Sequence, residues 1–119
     1  MRHHLIFVYG TLKKHHHNHY LVEGSEFLGP AKTLRKYSLY ESGIPYVIEN
    51  DQTSEIHGEV YRVDDLTLER LDQLEGHPDW YERKEVEVLI NNDKTILAWL
   101  YFFPKKTGTL VKDGRYTKN

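Results

Sequence analysis

Two short stretches carry residues able to do chemistry, Val8-Tyr9-Gly10-Thr11-Leu12 and Leu71-Asp72-Gln73-Leu74-Glu75. In the second, Leu68, Leu71 and Leu74 recur at helical spacing, and Glu75 falls four residues after Leu71, on the same inward stripe. A carboxylate placed there is partly desolvated and lies at the negative end of the helix dipole. Both effects raise its pKa toward the range that a general acid/base needs near neutral pH. The plainer alternative is a frayed helix end at which Glu75 meets water or pairs with Arg83. Glu69, Asp72 and Gln73 point the other way and are expected to form solvated helix surface.

The first stretch closes an apolar run with a glycine, which lets the backbone turn tightly and lets another molecule approach it. Exposed N–H groups in such a turn can bind a carboxylate or stabilise an oxyanion, although an isolated Tyr-Gly-Thr is also an ordinary strand ending. The further glycines of a dinucleotide fingerprint or a P-loop are absent. His15, His16, His17 and His19 follow, with His3 and His4 at the start of the preceding strand, and histidine suits divalent first-row metals. Consecutive histidines on one loop point in different directions, however, and surface loop residues account for them equally well.

Several elements must position these groups. Leu5 to Tyr9 is a short run rich in β-branched and aromatic residues, the pattern of a strand buried on both faces. Strands are also expected over Thr33 to Tyr40, Tyr46 to Glu49, Ile56 to Val63, Tyr81 to Ile90 and Ile96 to Phe103, with turns at Ser42-Gly43-Ile44-Pro45 and Asn91-Asn92-Asp93. A loop leading into a short helix is expected before Val22. The one strong helix is Leu66 to Glu75, with Asp65 as N-cap and Gly76 and Pro78 as stop signals. About six strands, one clear helix and no βαβ rhythm point to an α+β fold around a curved or closed, mostly antiparallel sheet.

Composition narrows the classes. A chain of 119 residues is about one domain long, so a single domain over residues 1–119 is expected, and two Trp, nine Tyr and four Phe supply its core. There is no cysteine, which excludes disulfides, zinc–thiolate sites and a thiol nucleophile. Sixteen Lys and Arg against eighteen Asp and Glu leave no basic excess, so nucleic acid is not an expected partner. With no run approaching the roughly 18 apolar residues of a membrane span, and no signal-peptide pattern, a soluble cytoplasmic protein is expected, with no membrane partner.

VYGTLKK at 8–14 with Asn18-His19, and LDQLEGHPDWYER at 71–83, resemble the signature segments of the gamma-glutamylcyclotransferase-like family, in particular its gamma-glutamylamine cyclotransferase branch. Gly29-Pro30-Ala31, Gly43-Ile44-Pro45, Ile56-His57-Gly58-Glu59-Val60-Tyr61 and Ala98-Trp99-Leu100-Tyr101 follow in family order, so the resemblance covers nearly the whole chain. It implies a small mixed, mostly antiparallel β-barrel flanked by helices. It also implies release of 5-oxoproline and a free amine from a small γ-glutamyl substrate, without a cofactor. Carried over by motif, Glu75 is the catalytic residue, and Tyr9, Gly10, Thr11, Leu12 and Tyr81 line the substrate site. The family has a glycine after the two basic residues where His15 stands here, and often a proline before Asn18. A non-catalytic small-ligand or metal-binding domain of the same fold, using the histidine-rich loop, is the rival expectation.

Overall fold

The computed structural model describes residues 2–117. Eight strands are joined in one sheet: β1 (His3–Val8), β2 (Glu26–Thr33), β3 (Ser38–Glu41), β4 (Pro45–Ile48), β5 (His57–Asp64), β6 (Glu82–Ile90), β7 (Lys94–Phe102) and β8 (Thr109–Val111). Their order is β1-β5-β2-β6-β7-β4-β3-β8, and a parallel pairing of Ile6 in β1 with Trp99 in β7 closes the first five into a barrel. The other pairings within that barrel are antiparallel. One α-helix, α1 (Asp65–Glu75), and a 3-10 turn at His19–Leu21 complete the fold.

The expected α+β barrel is therefore present, with more strands than the sequence pattern indicates. β2 escapes that pattern because Gly29 and Pro30 interrupt it. In the structure Gly29 has a φ of 144° beside a bulge in the β2–β5 pairing, which is how a strand accommodates both residues. The strand expected over Thr33 to Tyr40 is instead split, since β2 ends at Thr33 and β3 begins at Ser38 on another part of the sheet. Buried Thr33 makes the break: its hydroxyl accepts from the Ile56 amide at 2.9 Å and donates to the Arg35 carbonyl at 2.7 Å. Three-residue β8 is too short to leave an alternation pattern.

β1 is apolar on both faces because both are covered. Phe7 joins a core with Val60, Val88 and Leu100, while Ile6 and Val8 join a second core with Leu68 and Leu71 of α1. The helix side of the wall thus holds one core, and the interior of the barrel holds the other. The N-cap of α1 is Asp64 rather than Asp65, its carboxylate accepting from the Thr67 amide at 2.8 Å. Both expected turns are found. Gly43 has a φ of 75° between β3 and β4, and Asn91 and Asn92 have φ of 55° and 57° between β6 and β7.

β1 and β5 approach so closely that Gly58 has no room for a side chain, since a Cβ there would run into the Val8 carbonyl and the Phe7 ring. Gly58→Ala is therefore expected to destabilise the fold by about 1–3 kcal/mol, read as a lower midpoint in urea unfolding.

Candidate active site

Where β1 meets the end of α1, a cavity of about 350 Å³ opens between the Tyr9–Leu12 turn, the β3–β4 turn and the segment Gln73–Tyr81. Its lining includes all six site residues expected from the sequence: Tyr9, Gly10, Thr11, Leu12, Glu75 and Tyr81. Residues of the two groups, at least 63 positions apart in the chain, thus line one cavity.

The carbonyls of Gly10, Thr11 and Leu12 are all engaged. Gly10 O accepts from the Lys13 amide at 3.1 Å, Thr11 O from the Asn18 amide at 2.9 Å, and Leu12 O from His19 Nδ1 at 3.0 Å. Asn18 also donates through its side chain to Thr11 Oγ1 at 2.9 Å. Among the described residues, the N–H groups of Gly10, Thr11 and Leu12 have no protein acceptor. The turn therefore presents donors to the cavity and keeps its acceptors for itself. Gly10 is required here by close approach rather than by a left-handed φ, because a Cβ would lie 2.5 Å from Pro45 Cγ.

Glu75 is not frayed. Gly76 takes the left-handed C-cap conformation with φ 65°, the His77 amide donates to Asp72 O at 2.9 Å, and the Tyr81 amide donates to Glu75 O at 3.1 Å. The helix end is thereby fastened to the start of β6. Arg83 does not pair with Glu75. Its Nε and Nη2 donate to the two carboxylate oxygens of Asp72 at 2.8 and 3.0 Å, and its guanidinium lies 4.3 Å from the centre of the Trp99 ring. Tyr101 OH donates to the same Asp72 carboxylate at 2.6 Å. Burial alone would raise the Asp72 carboxyl, but these bonds outweigh it and hold its pKa below the usual value.

Burial without a counter-charge has the opposite effect on Glu75, whose pKa is pushed up to about 7. Tyr9, Tyr81 and Tyr101 are all raised, first by burial, and the Glu75 charge adds to the effect on each. Their hydroxyls are committed elsewhere: Tyr9 OH donates to Tyr101 O at 3.0 Å and Tyr81 OH to Pro45 O at 3.1 Å. Both rings wall the cavity in fixed positions.

Two expectations for α1 are corrected. Leu74 is exposed at the cavity rim instead of facing inward, and Asp72 is partly buried instead of solvated. Asp72 stands four residues after Leu68, which puts it on the flank of the buried stripe, a spacing that could have flagged it. Tyr101, Asn18 and Trp80, also in the lining, fall within the segments that carry the family resemblance but have no spacing signal of their own.

The histidines do not converge. His19 supports the turn and packs on Tyr61 with ring centres 5.7 Å apart, while His16 packs on Tyr116 at 5.5 Å. Among the described residues, no three His, Asp or Glu side chains are grouped to hold a metal ion. No helix among them is long and apolar enough to cross a membrane.

The fold is shared with a recognised protein family. The profile described as gamma-glutamyl cyclotransferase, AIG2-like matches residues 6–118, and the chain belongs to that family. A Methanocaldococcus jannaschii protein with the provisional name gamma-glutamylcyclotransferase is 52% identical over 112 residues, covering 93% of each chain. Gamma-glutamylaminecyclotransferase B of Danio rerio is 37% identical over 112 residues, covering 85% of this chain and 59% of its own. Among solved structures, YkqA of Bacillus subtilis superposes with a TM-score of 0.81 at 35% identity, over 97% of this chain but 40% of that longer one. A mouse AIG2-like protein superposes at 0.79 with 26% identity, over 90% of this chain and 81% of that one.

The electrostatics of Glu75 have a measurable effect on stability. Its carboxyl titrates near 7 when folded against an ordinary 4.5, so the folded state loses stability as pH rises through that interval. Glu75→Gln removes the loss. Urea unfolding is expected to give equal stabilities for the two proteins near pH 4 and about 2–3 kcal/mol more for the variant near pH 8.

Proposed function

We propose that this protein is a γ-glutamyl cyclotransferase that acts on γ-glutamylamines, releasing 5-oxoproline and the free amine. The observation that carries the reading is a half-buried carboxylate, Glu75, with no cation beside it, in the same cavity as three unengaged N–H donors. Membership of the family supports it, as do relatives named for this activity, including the gamma-glutamylaminecyclotransferases of Danio rerio and Bos taurus.

The reaction is intramolecular. The substrate's α-ammonium gives a proton to the Glu75 carboxylate, and the freed amine attacks its own γ-carbonyl carbon to form the ring C–N bond. Glu75 then returns the proton to the departing nitrogen, the old C–N bond breaks, and the carbonyl re-forms. A second proton leaves the ring nitrogen by the same carboxylate and ends on the released amine. Two protons thus pass from one substrate nitrogen to the other, and a single group with a pKa near neutrality can carry both. No protein nucleophile enters the sequence.

Among the described residues, no Lys or Arg lines the cavity, so the substrate's α-carboxylate is left to the N–H groups of Gly10, Thr11 and Leu12. Held there, the γ-glutamyl chain is folded toward its cyclising conformation, which is where an intramolecular reaction gains most. Tyr9 and Tyr81 shape the walls, excluding water around the reacting carbonyl.

Glu75→Gln should abolish 5-oxoproline release from a γ-glutamylamine, as followed by chromatography, while the variant still folds. Retained full activity would contradict the assignment. In the parent protein, kcat/KM is expected to climb about tenfold per pH unit below 7 and to level off above it, because the free enzyme must hold Glu75 as the base.

A further inference from the structure

The cavity mouth has a composition of its own. Ile44 is 48% exposed, Leu74 45% and Trp80 64%, and all three belong to the lining. They come from different elements, the β3–β4 turn, the last turn of α1 and the loop before β6, yet they meet at one opening. Exposed apolar side chains scattered singly need no explanation, but a convergent group at a cavity mouth does.

Trp80 is also held in place. Its amide donates to Gly76 O at 2.8 Å, its Cβ packs where Gly76 has no side chain, and its ring lies 6.2 Å from that of Phe103. The local backbone therefore fixes an indole at the rim with most of its surface facing solvent. A second feature concerns charge. Glu75 is the one ionisable carboxylate of the lining, with neither Lys nor Arg there among the described residues.

Together these features bear on the half of the substrate that leaves. Resting on the cyclisation of γ-glutamylamines proposed above, we infer that the leaving amine carries an alkyl or arylalkyl group, which lies against Ile44, Leu74 and Trp80. A γ-glutamyl amino acid would bring a second carboxylate beside Glu75, with the turn donors already occupied and no Lys or Arg among the described residues of the lining. An alkyl or aromatic group brings no charge and covers apolar surface that is otherwise exposed to water.

The test uses three substrates with the same γ-glutamyl half. γ-Glutamylphenethylamide and γ-glutamylphenylalanine differ only by a carboxylate, and γ-glutamylmethylamide lacks the apolar group. Release of 5-oxoproline is expected to be about tenfold or more faster, as kcat/KM, for the phenethylamide than for either of the others. Leu74→Arg changes an exposed position and supplies the missing cation, so it should narrow the gap between the phenylalanine and phenethylamine derivatives. Trp80→Ala should narrow the advantage of phenethylamide over methylamide. Equal or better use of the methylamide would overturn the inference while leaving cyclisation intact, and equal or better use of γ-glutamylphenylalanine would contradict the γ-glutamylamine reading on which it rests. If the folded protein released 5-oxoproline from none of the three, the cyclisation reading would fail and this inference with it.

Discussion

Arg83 is held by both oxygens of Asp72 and by the face of Trp99, and that choice of partner decides the electrostatics of the cavity. Two carboxylates stand three residues apart at the end of α1, and one guanidinium lies within reach of that end. Because Asp72 takes it, with a further bond from Tyr101, Asp72 remains ionised and serves to fasten the helix to β6 and β7. Glu75 is left half-buried without a cation, and desolvation raises its pKa. A buried pair of this kind adds little net stability over an apolar substitute, yet removing one member leaves the other charge stranded. Its value here is positional: it fastens the end of the helix to β6 and leaves Glu75 without a cation beside it.

The opposite wall depends on a similar division of labour. Lys13, Asn18 and His19 donate to the carbonyls of Gly10, Thr11 and Leu12, and Asn18 also to the Thr11 hydroxyl, while the N–H groups of Gly10, Thr11 and Leu12 have no protein acceptor among the described residues. Pro45 packs on Gly10 and accepts the Tyr81 hydroxyl at its carbonyl, which ties the β3–β4 turn to both sides of the site. Donors and carboxylate are consequently mounted on a closed barrel through short connections. Rigid placement of this kind suits the proposed intramolecular cyclisation, in which the substrate supplies both reacting groups and the protein supplies conformation and proton transfer.

Much of this is legible in the chain itself. The apolar run Leu5–Tyr9 marks a strand covered on both sides, and the Leu68–Leu71–Glu75 spacing puts a carboxylate toward the core. Other features resisted for physical reasons. Asp72 looks like helix surface until its partners Arg83 and Tyr101, 11 and 29 residues away, are brought beside it by the β6–β7 hairpin. β2 is concealed by a glycine and a proline that a bulge absorbs. The histidines are conspicuous in sequence, but His19 and His16 spend their rings on a turn carbonyl and on tyrosines.

We propose that the uncompensated carboxylate at the end of α1 carries the protons of the reaction. A carbon-13 NMR titration of the Glu75 side-chain carboxyl, assigned by its absence in Glu75→Gln, measures this directly. The account predicts a midpoint near 7 that coincides with the rise of 5-oxoproline formation from a γ-glutamylamine. A midpoint in the ordinary glutamate range near 4.5, or product formation that rises at a different pH, would contradict it.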